Sequence, residues 1–280
     1  VGSVSFRSYS QVTGEDRSHL GAQVGAQRAR VLERLSAIRH VVAVTSGKGG
    51  VGKSYVTAQL ALAAAARLTG GVGVADADLK GPTVARMLEG KGPLVVEEHG
   101  VRPAIGRDGV RLISTDLLLD DGQPLRWNEP GGERFVWRGT LEAGALREFL
   151  ADVAWGPLDL LLVDLAPGAD RLADLAELAP GITGAVAVTL PSEESRRSVE
   201  RAMRAALDGG IRLLGVIENM SGYRCPDCRT THPLFEGSAG QELAAEFGVP
   251  LLGTLPFTHD HRSPSPGFAS LFAALQSVLP

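Results

Sequence analysis

Two cysteines are all that the 280 residues contain, both in Cys225-Pro-Asp-Cys228. A pair so close together makes no disulfide framework, so reduced thiols in a cytoplasmic protein are expected. Lysine is nearly as scarce. It occurs only at positions 48, 53, 80 and 91, and arginine carries the rest of the positive charge. With a formal charge of -4 there is no general basic surface, so no nucleic-acid partner is expected. No apolar run approaches the ~18 residues of a membrane span, so no membrane partner is expected either. The opening Val1-Gly-Ser-Val-Ser-Phe-Arg7 lacks the apolar core of a signal peptide, and position 1 is not Met. What is present is ordinary for a globular protein: 44% hydrophobic and 21% charged residues.

Against that background the loop Gly47-Lys48-Gly49-Gly50-Val51-Gly52-Lys53-Ser54 stands out. It follows the apolar run 41–45, precedes a helix-forming segment, and fits strand–GxxxxGK[ST]–helix. Glycines let the backbone wrap closely round phosphates. Amide N–H groups and the positive end of the following helix then face the anion. Lys53 would reach the β- and γ-phosphates of ATP, and the Ser54 hydroxyl would ligate Mg²⁺. The same residues also satisfy the dinucleotide pattern Gly47-x-Gly49-x-x-Gly52, with Asp76 and Asp78 about where a ribose-binding acid would sit. That loop has no use for Lys53-Ser54, however, and two of four lysines lie here. A triphosphate site is the better reading.

Along the chain, residues 1–19 are polar and Ser-rich, and apolar residues from Leu20 to Ile38 recur at helical spacing. Residues 1–37 read as an N-terminal extension with a helix, and 38–280 as one domain. Strands are expected at 41–45, 72–76, 110–114, 158–163, 184–189, 211–217 and 251–255. Helices are expected at 53–68, 140–153, 172–179, 193–208, 238–247 and 267–278. The strand-like runs lack clean alternation, which suits strands covered on both faces. The expected fold is a doubly wound, mostly parallel α/β sheet. Segment 90–135 reads as irregular surface insertion.

Sites in such sheets lie beyond the carboxyl ends of the strands. Val72-Gly-Val-Ala-Asp76-Ala-Asp78 and Leu160-Leu-Leu-Val-Asp164 both end in acids there. Asp164 is the Walker-B candidate for Mg²⁺, and Asp76 or Asp78 would orient the attacking water. The cysteine pair admits several readings. Two thiolates supply half of a four-coordinate metal site, and a second copy of the chain would supply the rest. Zn²⁺ held with His232, and with His259 or His261, is an alternative. So is a dithiol redox motif, or simply two reduced cysteines in a turn.

Ser46-Gly-Lys48-Gly-Gly-Val-Gly-Lys53-Ser54, Asp76-Ala-Asp78-Leu-Lys-Gly81-Pro82-Thr83, Val136-Trp-Arg-Gly139, Glu218-Asn219-Met220-Ser221 and Cys225-Pro-Asp-Cys228, in this order, resemble the Mrp/Nbp-type iron–sulfur cluster carriers. These are deviant Walker-A P-loop ATPases, and the likeness runs from about residue 38 to about 258. The loop alone marks the wider group, which includes Min- and Par-type positioning ATPases. Asn-Met-Ser followed by Cys-Pro-x-Cys narrows it. The resemblance implies that Lys48 reaches the partner subunit's phosphates and that Asn219 recognises adenine. It implies a homodimer in which Cys225 and Cys228 of both copies bridge a [4Fe–4S] cluster destined for apo-proteins. It also implies ATP binding and hydrolysis linked to loading the cluster or passing it on, and the departures below make that hydrolysis slow. Two positions depart from the family pattern. Tyr55 replaces a Thr after the loop serine, where its ring would crowd the α-phosphate or remove a hydroxyl contact. Arg171 follows a Walker-B segment, Asp164-Leu-Ala-Pro-Gly-Ala-Asp170, that has lost its Thr. Near the γ-phosphate, Arg171 would hold nucleotide and slow turnover.

Overall fold

The computed structural model describes residues 20–79, 81–91, 94–98, 100–118, 146–225, 227–228, 230–257 and 266–280. Helix α1 (Leu20–Ser36) leads into β1 (Ile38–Thr45), the glycine loop and α2 (Lys53–Ala65). Next come β2 (Val72–Ala77), α3 (Val84–Met87), the hairpin β3 (Val95–Glu97) and β4 (Gly100–Arg102), β5 (Ala104–Ile105) and β6 (Arg111–Ser114). A helical segment over 146–151, α4, precedes β7 (Leu158–Leu165), α5 (Asp170–Leu178), β8 (Gly184–Thr189) and α6 (Glu193–Asp208). The chain continues through β9 (Leu213–Arg224), β10 (Thr231–His232), α7 (Ala239–Phe247), β11 (Leu251–Phe257) and α8 (Pro266–Val278).

The main sheet runs β10-β9-β8-β1-β7-β2-β6-β5, with β11 also pairing β9. All pairings are parallel except β5 on β6 and β10 on β9. Each central strand is buried on both faces, which is why the runs read as continuously apolar. On one face lie α2, α3 and α8, sharing a core with Val42, Val44, Val74, Leu160 and Leu162. On the other, α1, α4, α5, α6 and α7 pack on Val41, Ala43, Leu161 and Val163. The expected doubly wound sheet is what forms.

All seven expected strands are present, and β9 runs further than expected, to Arg224. Helix α2 stops three residues short of the expected end, and α5 starts two residues early. Segment 90–135, read as irregular, contributes β3, β4, β5 and β6 among its described residues. Lys80, Val136-Trp-Arg-Gly139, His259, His261, residues 1–19 and the first part of the expected 140–153 helix lie outside the described residues. Val31 of α1 is fully buried in the core, so this helix packs on the sheet domain itself. Among the described residues, no helix is long and apolar enough to cross a membrane.

Candidate nucleotide and cysteine sites

Register carries the acids to one place. In the ladder Asp76 pairs with Asp164 on one side and Ser114 on the other, while Val44, next to the end of β1, also pairs with Asp164. Three parallel strands therefore deliver their terminal polar side chains to the edge from which the glycine loop springs.

In the loop, Gly50 and Gly52 have φ of 80° and 78°, a left-handed backbone that side chains resist. A Cβ on Gly47 would stand 2.0 Å from the backbone of Ser198 in α6, so glycine lets the loop and helix touch. Helix α2 begins without a side-chain cap and without an acidic residue in its first turn. Such a helix start suits an anion, toward which leading N–H groups point. The Ser46 hydroxyl donates to Lys48 O at 3.0 Å, and Gly168 N donates to Ser46 O at 3.1 Å, joining this loop to the one after β7.

Asp164, fully buried, is the hub. Lys53 Nζ lies 2.8 Å from its Oδ2, and the Ser54 hydroxyl donates to the same oxygen at 2.6 Å. Thr57 Oγ1 lies 2.8 Å from Oδ1. Asp76 accepts from Ser114 Oγ at 3.0 Å and from the Val84 and Asp78 amides at 3.3 Å. Burial, and next the charge of Asp164, push the Asp76 carboxyl up to about 7. Asp78 is half-buried. The hydroxyl of Ser54 and the carboxylate of Asp164 are hard oxygen donors, so the donor set fits Mg²⁺. Lys48 is half-buried, and none of the described carboxylates pairs with it.

Asn219, 3% exposed, donates from Nδ2 to Val51 O at 2.8 Å. A Cβ on Gly52 would meet that nitrogen at 2.3 Å. The residue expected at the base is thus anchored on the phosphate loop. Glu218 beside it accepts from Gly240 N at 2.7 Å, tying β9 to α7. The ring of Tyr55, expected to crowd the phosphates, packs edge-on against Phe268 of α8, with ring centres 5.7 Å apart. Arg171 pairs with Asp174 one helical turn on, at 3.2 Å.

The cysteines sit where β9 turns into β10 at the sheet edge. Cys225 N donates to Thr230 O at 2.9 Å, Cys225 is half-buried, and Cys228 is exposed. Hydrogen bonds from Thr230 foremost, then from Cys225 and His232, bring the Cys228 thiol down to about 6. Among the described residues no three His, Cys, Asp or Glu side chains converge as a metal site.

The sequence reading passed over Thr57 and Ser114. Thr57 was legible, since it lies one turn after Lys53 on the same helix face. Ser114 was not, because only the register brings β6 beside Asp76.

The sheet, loop and buried lysine–carboxylate hub define a P-loop NTPase. More narrowly, the chain belongs to the ParA group's NUBPL iron-transfer P-loop NTPase family, whose model matches residues 37–272. It is 40% identical over 244 residues to the iron-sulfur cluster carrier protein of Saccharolobus solfataricus, covering 86% of this chain and 79% of that one. It is 38% identical over 261 residues to the human cytosolic Fe-S cluster assembly factor NUBP2, covering 87% and 92%. A nucleotide-binding protein of Archaeoglobus fulgidus, solved in complex with ADP, superposes with a TM-score of 0.68. It is 33% identical, with 89% of this chain and 93% of that one covered. The cell-division ATPase MinD of Pyrococcus furiosus (TM-score 0.56, 19% identity) shares the fold.

Proposed function

We propose that this protein is an ATP-binding iron–sulfur cluster carrier that works as a homodimer in the cytosol and hands a [4Fe–4S] cluster to apo-proteins. The observation that carries this reading is the placement of Cys225 and Cys228. They form a half-buried and an exposed thiol on a sheet-edge hairpin, in a chain of the iron-transfer family. Two thiolates from each of two copies complete the four ligands that a cubane cluster needs. Exposure suits a cargo that must leave again.

In the nucleotide site, residues 47–54 would hold the phosphates through backbone amides, and Lys53 would neutralise the β- and γ-oxygens. Lys48 would serve the partner subunit's nucleotide. Ser54 and Asp164 would hold Mg²⁺, which when bound spreads the negative charge of the phosphate oxygens. Asp76 or Asp78 would orient the attacking water. Asn219, with Nδ2 committed to Val51, would present its carbonyl end to the adenine amino group, and Tyr55 would line the cleft beside α8. The ATPase belongs to residues 38–280, and 1–37 are an extension. Turnover is slow in this reading, because the segment 164–171 lacks the family threonine.

Anaerobic reconstitution should give a brown protein with about four irons per dimer. The double variant Cys225→Ala/Cys228→Ala should bind none while retaining ADP, and unchanged iron would sink the cluster site. Phosphate release above a Lys53→Ala control measures the ATPase, and none above that control leaves a binding protein.

A further inference from the structure

We propose that Thr57 is a positioning residue that fixes the Asp164 carboxylate and so sets how strongly Mg²⁺ strengthens nucleotide binding. This rests on the loop being a Mg²⁺–nucleotide site. Thr57 lies three residues after Ser54 and four after Lys53, so its side chain neighbours both along α2. Thr57 is fully buried, and its single hydroxyl proton faces two acceptors, Lys53 O at 3.0 Å and Asp164 Oδ1 at 2.8 Å. A threonine inside a helix commonly returns its proton to the carbonyl one turn back. Here the closer acceptor is a carboxylate, which makes the stronger bond.

The carboxylate is divided between its partners. Oδ2 takes Ser54 and Lys53, and Oδ1 takes Thr57. Lys53 and Ser54 are the groups that phosphate and cation recruit. Thr57 has no such second task, so it is the contact that keeps Asp164 aimed when the other two change partners. Outer hydrogen bonds of this kind tune metal affinity through the ligand they hold. Tyr55 cannot substitute, since it lies on another face against Phe268.

The test is calorimetric titration of the full chain with ADP, in Mg²⁺ and in EDTA. Thr57→Val, equal in shape but without the hydroxyl, should weaken binding about 10–100-fold in Mg²⁺ and leave it unchanged in EDTA. Thr57→Ser should restore the Mg²⁺ response. If Thr57→Val yields no folded protein, Thr57→Ala takes its place in the same comparison. Equal weakening in both media, no weakening in either, or a Ser variant that behaves like Val would overturn the assignment. A parent protein whose ADP affinity ignores Mg²⁺ would remove the site reading and this inference together, and it is recognised before any substitution is made.

Discussion

The middle of β9 and the hairpin that follows it are built on opposite terms. At Asn219 the strand is buried against the phosphate loop, where a lysine and a carboxylate of 6% and 0% exposure meet at 2.8 Å. Six residues later, about 20 Å of extended chain, the hairpin begins with the half-buried Cys225 and goes on to the exposed Cys228. The ladder between is irregular. Pairing to β11 jumps from Asn219–Leu255 to Tyr223–Phe257, and Met220 takes a left-handed φ of 53°. A buried charge pair is expensive to break and therefore rigid. An exposed hairpin is held by few contacts and yields easily. A nucleotide site needs preorganised donors, whereas a carrier's cargo site needs access, and one strand serves both.

The largest expected effect tests that contrast directly. Lys53→Ala leaves Asp164 buried without its cation, and should lower the unfolding free energy of the nucleotide-free protein by about 3–5 kcal/mol in urea titrations. Replacing both cysteines by Ala should leave the urea midpoint in place. If the two variants lost equal stability, the division into a rigid and a yielding end would fail.

Next comes Asp76. Its carboxyl, held up at about 7, sits above the ordinary 3.8. The folded state therefore binds the proton more tightly than the unfolded chain. That stabilisation is complete below about pH 4 and is lost as pH rises through about 7, as much as about 4 kcal/mol in all. Asp76→Asn should accordingly raise the melting temperature of the nucleotide-free protein at pH 8 and bring no gain at pH 4. A pH-independent difference would show that Asp76 is not a buried charge.

A smaller effect is expected at the loop's contact with α6. Gly47→Ala pushes a methyl group into the Ser198 backbone and should cost about 1–3 kcal/mol, read by thermal melts. Smallest is a shift at the hairpin. Alkylation of Cys228 in the metal-free protein should be half-maximal near pH 6. Thr230→Val, which removes the foremost cause of that lowering, should move the midpoint upward with the fold intact. A midpoint that ignored Thr230 would mean that the hairpin does not organise its own thiols.

Much of the candidate site was legible because it is local. Residues 47–54 form one loop, and Asp76 and Asp164 end apolar runs that can only be strands in a sheet covered on both faces. Tyr55 shows the limit of that reading. Position 55 placed a ring at the start of the helix, but only the fold shows that this ring packs on Phe268 of the distant α8. Thr57 was legible as a neighbour of Lys53 on the helix face, but its bond to Asp164, 107 residues away, was not.

By itself the sequence determined the phosphate loop, the order of strands and helices, and the cysteine pair, since each is written in neighbouring residues or in the period of apolar ones. Only the tertiary structure decided which acid meets the lysine, that Asn219 grips the loop at Val51, and that the thiols stand at a sheet edge. Strand register and crossover are settled by packing between distant segments, and that packing sets each carboxylate's burial and hence its charge.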